Sequence, residues 1–290
     1  MFQRPTIPYP GDTQVLSDLE WLLGNPHLML QNGSVDASTP AEPLQDLDLE
    51  PTRRFFRSRA SYRVGYYAES LLEVCLRSQK EVSGLNRALQ IRKEKTTLGE
   101  LDFLFRRETK LCHLEVALKF YLYHPEGSPA GSHLIGPNAS DHFEKKRDAL
   151  FGKQLEFGRR HFPEIEESSA LMKGMLFYPP DVNQIDSLPA KLNPSHARGR
   201  WIRTTDLDWL SESEGFIAGR ILEKPFWLSG QAPNGHEVTT SLVALRDELY
   251  RRVQQSGFPA CLSLLGPNGC EVTRAFVVHD RWPEQREAAD

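Results

Sequence analysis

Two acidic residues and a lysine on neighbouring predicted strands have the types and spacing that phosphodiester chemistry requires. Asp102 lies in ELDFLFR, Glu115 follows thirteen residues later in LCHLEVALKFYL, and Lys119 shares the strand face of Glu115. Hard cations such as Mg²⁺ or Mn²⁺ prefer carboxylate oxygens and lower the pKa of a bound water that attacks phosphorus. A lysine can stabilise the developing negative charge. The spacing therefore indicates metal-dependent hydrolysis, with Asp102 and Glu115 as metal ligands.

The same residues have a structural interpretation that stays open. Exposed antiparallel strands often carry Asp, Glu and Lys as cross-strand pairs, each worth a few tenths of a kcal/mol. The pattern alone favours this interpretation. His113 shares the face of Glu115 and is a candidate metal ligand or general base, although a lone histidine is more often a hydrogen-bonded neighbour.

Helices and strands that could position these residues follow from hydrophobic periodicity. A three-stranded antiparallel meander is predicted, because three segments of strand composition are separated only by TTLG and RETK. A second helix and a fourth strand come after it. The predicted helices are 14–24, 65–78, 140–162 and 240–255, and the predicted strands are 88–94, 100–106, 111–122, 171–179 and the later segments KPFWLSG, PACLSLLG and RAFVVHD.

Seven segments carry a family resemblance, namely GYYAESLLEVCL, LGELDFLF, HLEVALKFYL, IGPNASDHFEKKRDAL, KGMLFYPP, LNPSHARGRW and KPFWLS. In these segments the chain resembles an uncharacterised bacterial domain-of-unknown-function family that is placed in the PD-(D/E)XK, or restriction-endonuclease-like, nuclease superfamily. The resemblance covers almost the whole chain. It implies an α/β fold whose core is a helix, a three-strand meander, a helix and a strand, followed by a C-terminal α/β extension.

The resemblance also assigns roles to individual residues. Glu69 matches the acid of the first core helix, Asp102 the metal ligand of the second strand, and Glu115 the metal ligand of the third strand. Gln154 in the second helix matches a glutamine that some branches of the superfamily place there. The resemblance thus implies Mg²⁺ or Mn²⁺ as the cofactor and Glu69, Asp102, Glu115 and Lys119 as the catalytic set.

One position departs from the superfamily pattern. The pattern places its lysine two residues after the third-strand acid, about 6.6 Å along the strand, and that position is Ala117. Lys119 is on the correct face but about 13 Å from Glu115 along the backbone, so its side chain would have to lean back. Lys145 or Lys146 of the second helix could take its place.

A basic segment, RRFFRSRASYR, is the candidate surface for nucleic acid. Arginines interleaved with aromatic residues suit phosphate contact together with base stacking. The alternatives are an arginine-rich start of a helix and a partner for the acidic segment directly before it, which has five acids and no bases between residues 31 and 50. The candidate nucleic-acid-binding residues are Arg53, Arg54, Arg57, Arg59 and Arg63, with Lys145 and Lys146.

Composition excludes several other classes of protein. The 290 residues carry a formal net charge of −4, so any contact with nucleic acid must come from a local basic surface. The four cysteines form neither a zinc-knuckle nor a CxxC spacing. No apolar run is long enough to span a membrane, and the first ten residues, MFQRPTIPYP, lack the apolar run of a signal peptide. We therefore expect a cytoplasmic protein without a membrane partner.

These observations predict three regions and one leading function. The regions are an N-terminal helix with an acidic linker (1–50), a nuclease-like core (51–180) and a C-terminal α/β extension (181–290). The leading expectation is a divalent-metal-dependent nuclease that acts on DNA or RNA. The rival is a catalytically inactive module of the same fold that binds nucleic acid or a protein partner, which Ala117 favours, and a purely structural role is a third alternative.

Overall fold

The computed structural model describes residues 7–30, 47–58, 62–127, 131–182, 189–231 and 239–284. Within these ranges the α-helices are α1 (Asp12–Gly24), α2 (Glu50–Phe56), α3 (Val64–Ser78), α4 (Phe143–Asp148), α5 (Leu155–His161), α6 (Trp209–Glu212) and α7 (Leu242–Ser256). A π-helical turn, Ala149–Gln154, joins α4 to α5, and a 3-10 turn, Thr204–Asp206, precedes α6.

The strands form one mixed sheet. They are β1 (Val82–Lys93), β2 (Thr96–Arg107), β3 (Lys110–Tyr123), β4 (Leu134–Ile135), β5 (Glu167–Tyr178), β6 (Ala197–Arg203), β7 (Ala218–Leu222), β8 (Thr240–Ser241), β9 (Ala260–Leu265) and β10 (Glu271–Val278).

The chain divides into two compact units. The first contains residues 1–118 and 146–173, and the second contains residues 119–145 and 174–290. The predicted division into 1–50, 51–180 and 181–290 stays a prediction.

The first unit is built on the β1–β2–β3 meander and helices α1 to α3. Both strand pairs are antiparallel. Helix α3 forms because its apolar residues recur at helical spacing, and its buried side includes Tyr67, Leu71 and Cys75. Phe55 and Phe56 of α2 pack against the Tyr67 ring. The predicted helices at 14–24 and 65–78 and the predicted meander are confirmed.

The second unit combines parallel and antiparallel pairing. Strand β6 pairs parallel with β5 and β10, whereas β9 pairs antiparallel with β10 and β7. Helix α7 covers this region with Leu245, Leu249 and Val253, which belong to one buried apolar cluster. It begins at a Ser241 cap and ends at Gly257, whose positive φ of 62° suits glycine.

Two details of the predicted elements are wrong. TTLG is not a turn but the start of β2, because Glu94 has a positive φ and Lys93 pairs with Thr96. KPFWLSG is not a strand: the Phe226 N–H donates to the carbonyl of Glu223, and the Trp227 ring packs edge-on against Phe276. Local turns therefore bury the apolar residues that suggested a strand.

The helices and the mixed sheet confirm the predicted α/β class. The finer expectation of a restriction-endonuclease-like core stays a prediction. In the described ranges, no helix is both long enough and apolar enough to cross a membrane.

Candidate active site

Asp102 and Glu115 lie opposite each other where β2 meets β3 in the first unit. The ladder pairs Phe103 with Leu114, so the two acids are the next residues along the strands. The backbone N–H of Val116 donates to Asp102 Oδ2 at 2.8 Å. The backbone N–H of Asp102 is 3.4 Å from Glu115 Oε1, which accepts it. Each carboxylate is thus attached to the backbone of the opposite strand.

Glu115 is completely buried and is held by two further side chains. His113 Nε2 lies 2.8 Å from Glu115 Oε1, and Gln154 Nε2 donates to Glu115 Oε2 at 2.8 Å. An ionised Glu115 accepts from His113 only if the ring proton is on Nε2. The histidine predicted as a ligand or base is therefore placed to orient Glu115.

Gln154 reaches Glu115 from the last residue of the π-helical turn. Such turns insert one extra residue into a helix and occur often at functional sites. Directly after the turn, Gly158 allows α5 to approach β3 closely. A Cβ at Gly158 would lie 2.4 Å from His113 Nδ1, and that buried nitrogen has no hydrogen-bond partner within the described part of the chain.

The two acids of this site are not independent electrostatically. Burial, and next the charge of Glu115, raise the pKa of Asp102 to about 8. Burial also raises the pKa of Glu69 to about 6, although its neighbour Arg87 opposes that shift. Glu69 forms an ion pair of 3.3 Å with Arg87. Carboxyl groups that crowd together in a buried place favour any group that neutralises them.

The donor set suits a hard divalent cation. Asp102 and Glu115 provide two carboxylates on neighbouring strands, and Mg²⁺ commonly uses one or two carboxylates together with water. Among the described residues, no three His, Cys, Asp or Glu side chains are grouped so that they could hold a metal ion. Water or substrate oxygens would complete the coordination of a cation here.

The candidate lysines have different surroundings. Lys119 belongs to the second unit, where it forms an ion pair with Asp141. Lys145 also belongs to that unit and is exposed. Lys146 Nζ lies 3.4 Å from Gln154 Oε1, so a hydrogen-bonded path joins Lys146 through Gln154 to Glu115. The structure therefore brings Lys146 to Gln154, which lies between it and Glu115 within the first unit.

The arginines of the basic segment are paired within the protein. Arg53 pairs with Asp12, Arg54 with Glu73, and Arg57 with Glu50 of the acidic segment. Arg63 donates to the Tyr66 hydroxyl at 3.3 Å. Arg59 lies outside the described residues.

The expectation that aromatic residues of the basic segment stack on bases is wrong for Phe55 and Phe56. Phe55 and Phe56 are 5% and 3% exposed, because both rings pack in the core of the first unit. Their faces are not available to a base.

A model of the family described as "Domain of unknown function (DUF1853)" matches residues 17–278, which contain every candidate site residue. The chain belongs to the DUF1853 family. No curated protein matches the chain, and no solved structure matches it. The family match confirms the resemblance to a domain-of-unknown-function family and carries no information on the nuclease superfamily.

Sequence reasoning missed three residues that shape this DUF1853 site. Glu73 is buried with three arginines around it, and its signal was the spacing of Glu69, Glu73 and Arg77 along one side of α3. Arg87 was missed because an arginine on a strand is usually interpreted as a solvent-exposed residue. Gly158 was missed because a glycine within a helical segment does not indicate which side chain it approaches.

Proposed function

We propose that this protein is a divalent-cation-dependent hydrolase of nucleic-acid phosphodiester bonds. The observation that supports the proposal is the Asp102–Glu115 pair, attached across two neighbouring strands and extended through Gln154 to Lys146. Two carboxylates with a nearby ammonium group are the set that hydrolysis of a phosphodiester requires.

Asp102 and Glu115 would hold Mg²⁺ or Mn²⁺, which supplies a water of lowered pKa and neutralises phosphate charge. His113 and Gln154 fix the Glu115 carboxylate by one hydrogen bond to each oxygen. Lys146 carries the positive charge that the superfamily pattern places at Ala117. Lys119, which the sequence favours for this role, has Asp141 as its partner. Glu69 adds negative charge that favours a bound cation.

The order of elements supports the finer resemblance to the PD-(D/E)XK nucleases. Helix α3, the β1–β3 meander, the helical segment from Phe143 to His161 and β5 follow one another as that core would. Asp102 is on the second strand and Glu115 on the third strand of the meander, which are the positions that the resemblance assigns to metal ligands.

A second candidate function is a module of this fold that binds nucleic acid without cleaving it. Two observations favour it: Ala117 replaces the expected lysine, and each oxygen of Glu115 already has a hydrogen-bond partner. This candidate predicts salt-sensitive retention of nucleic acid and no metal-dependent cleavage.

Cleavage assays distinguish the two candidates. Single- and double-stranded DNA and RNA are incubated with the protein in Mg²⁺ or Mn²⁺ and in EDTA. We expect cleavage only with metal, and we expect the double variant Asp102→Ala, Glu115→Ala to lose it. Glu223→Gln is the matched control, because this exposed carboxylate pairs only with Arg252 among the contacts described for it. Cleavage that persists in the double variant would refute the site assignment.

The two lysine assignments separate in the same assay. We expect Lys146→Ala to lower the cleavage rate about 100-fold, the usual effect of removing one charge-stabilising group. Lys119→Ala should have a smaller effect, because its ammonium group is paired with Asp141. A larger loss in Lys119→Ala than in Lys146→Ala would contradict the role given to Lys146.

A further inference from the structure

We infer that Arg54, Arg77 and Arg87, gathered around Glu73, form a binding site for the phosphates of a nucleic-acid strand. The inference rests on the proposed function, because it names the surface that would guide the strand to Asp102 and Glu115. No role in binding follows from the sequence for Arg77, Arg87 or Glu73.

The three guanidinium groups converge on a single buried carboxylate. Arg54 Nη2 lies 2.8 Å from Glu73 Oε1, and Arg77 contacts the same oxygen through Nε at 2.9 Å. Arg87 Nη1 lies 3.3 Å from the other oxygen, Oε2. Because the Glu73 side chain is 1% exposed, the carboxylate lies beneath the arginines and cannot itself face a ligand.

Cations outnumber their carboxylate partners in this cluster and not in the neighbouring segment. Arg53 and Arg57 each pair with an exposed acid, Asp12 and Glu50. In contrast, Glu73 is shared by three arginines, and among the described residues only Arg87 of the three has a second carboxylate partner, Glu69. The Arg54 and Arg77 side chains remain 59% and 46% exposed, so guanidinium donors are open to solvent.

The cluster lines an open cleft of about 510 Å³ that is large enough for a nucleotide unit. Two more acids line it: Glu69, paired with Arg87, and Glu100, which is 3.5 Å from Gln90 Nε2. A guanidinium presents planar pairs of N–H groups that match phosphate oxygens, and a buried carboxylate fixes their orientation. Phosphate would therefore meet Arg54 and Arg77 first, because their side chains are more exposed than that of Arg87.

The position of the cleft connects it to the carboxylate pair. Glu100 precedes Asp102 by two residues, so both side chains are on the same side of β2. Arg87 and its ion-pair partner Glu69 line the same cleft as Glu100. A strand bound on the arginines would thus continue along β2 toward Asp102 and Glu115.

Binding of a labelled single-stranded oligonucleotide, measured by fluorescence anisotropy in EDTA, tests the inference without cleavage. We expect Arg54→Gln and Arg77→Gln each to weaken binding about tenfold at 0.1 M salt, because each removes a charge-assisted phosphate contact. Arg246→Gln is the matched control, since Arg246 is 50% exposed, pairs with Asp208 and does not line this cleft. It should bind as the unchanged protein does.

Salt dependence provides the second measurement. Each lost phosphate contact lowers the slope of log affinity against log salt by about 0.7 for a single strand. The slope for the double variant Arg54→Gln, Arg77→Gln should therefore be lower by about 1.4. Thermal melting checks that Arg54→Gln and Arg77→Gln fold. If either is unstable, Arg54→Lys and Arg77→Lys keep the charge and should retain the slope while binding more weakly.

Competition identifies the source of the phosphate. Excess unlabelled oligonucleotide should displace the probe at far lower concentration than inorganic phosphate or a mononucleotide. Equal displacement by inorganic phosphate would overturn the assignment to a nucleic-acid strand. Binding by the double variant Arg54→Gln, Arg77→Gln that equals binding by Arg246→Gln would overturn the site. If the unchanged protein cleaves nucleic acid and the Arg54 and Arg77 variants bind it normally, this inference is rejected and the proposed function is not. If the Arg54 and Arg77 variants lose binding but the unchanged protein does not cleave, the proposed function is rejected and this inference is not.

Discussion

The Glu115 carboxylate is completely buried, and the three residues described as its hydrogen-bond partners belong to the first unit. A buried charge is tolerated only when hydrogen bonds replace its hydration. His113, Gln154 and the Asp102 N–H supply these bonds. Asp102 has a different environment, because it is partly exposed and its strongest hydrogen bond is to a single backbone N–H. Of the two acids, Asp102 is therefore the one that can be substituted with fewer buried hydrogen-bonding groups left unpaired.

Asp102→Asn should change how the free energy of unfolding depends on pH. The pKa of Asp102 is about 8 in the folded protein and about 4 in an unfolded chain. Between these values the folded state holds a proton that the unfolded state releases, so stability is present at low pH and falls as pH rises toward 8. The loss has an upper limit of about 1.4 kcal/mol per pH unit. Asparagine keeps the acceptor for Val116 and removes this dependence.

Urea unfolding in EDTA at pH 5 and pH 8 measures the effect. The unchanged protein should lose more stability between the two values than Asp102→Asn does. Glu223→Gln, whose side chain is 62% exposed, is the control and should follow the unchanged protein. An equal loss of unfolding free energy between pH 5 and pH 8 in the unchanged protein and in Asp102→Asn would contradict the raised pKa of Asp102.

The helical segment from Phe143 to His161 positions the site by two local irregularities. Its π-helical turn ends at Gln154, which contacts both Glu115 and Lys146 of α4. Gly158 then permits close packing over His113, and a Cβ there would lie 2.4 Å from the ring. Gly99 of β2 has the same role under the Phe157 ring, because a Cβ at Gly99 would lie 2.6 Å from Phe157 Cζ. Helix and sheet thus approach through two glycines.

Gly158→Ala should destabilise the protein by about 1–3 kcal/mol, the usual cost of overpacking a core. It should also lower cleavage, because displacement of His113 moves Glu115. The matched control is Gly152→Ala in the same segment, where a Cβ meets no atom within 4 Å. Alanine there should stabilise the helix by up to about 1 kcal/mol. Urea unfolding of both variants is the measurement, and equal stability of the two would contradict the packing.

The meander and the Asp102–Glu115 pair could be predicted because strand alternation fixes which side chains share a face, and short turns fix which strands are neighbours. The sequence could not show that Lys146 rather than Lys119 is joined to Glu115. That difference depends on the π-helical turn and on Asp141, which are features of tertiary packing. KPFWLSG was predicted as a strand because apolar composition alone does not separate a strand from a buried turn.

The distribution of charge over the chain explains why a net charge of −4 does not exclude nucleic acid. Arg53 and Arg57 are neutralised by single acids, whereas three arginines share Glu73. The exposed guanidinium groups of Arg54 and Arg77 therefore lie at one cleft of the first unit, and the same unit contains Asp102 and Glu115. The proposed binding surface and the proposed catalytic carboxylates therefore belong to the same unit.

Binding of Mn²⁺, followed by the electron paramagnetic resonance signal of the free ion, tests whether Asp102 and Glu115 hold a divalent cation. We expect the unchanged protein to bind Mn²⁺ with one site per chain, Asp102→Asn to lose most of that affinity, and Glu223→Gln to keep it. Mg²⁺ should displace the bound Mn²⁺. Absence of Mn²⁺ binding by the unchanged protein, or equal binding by Asp102→Asn, would contradict the claim that Asp102 and Glu115 hold a divalent cation.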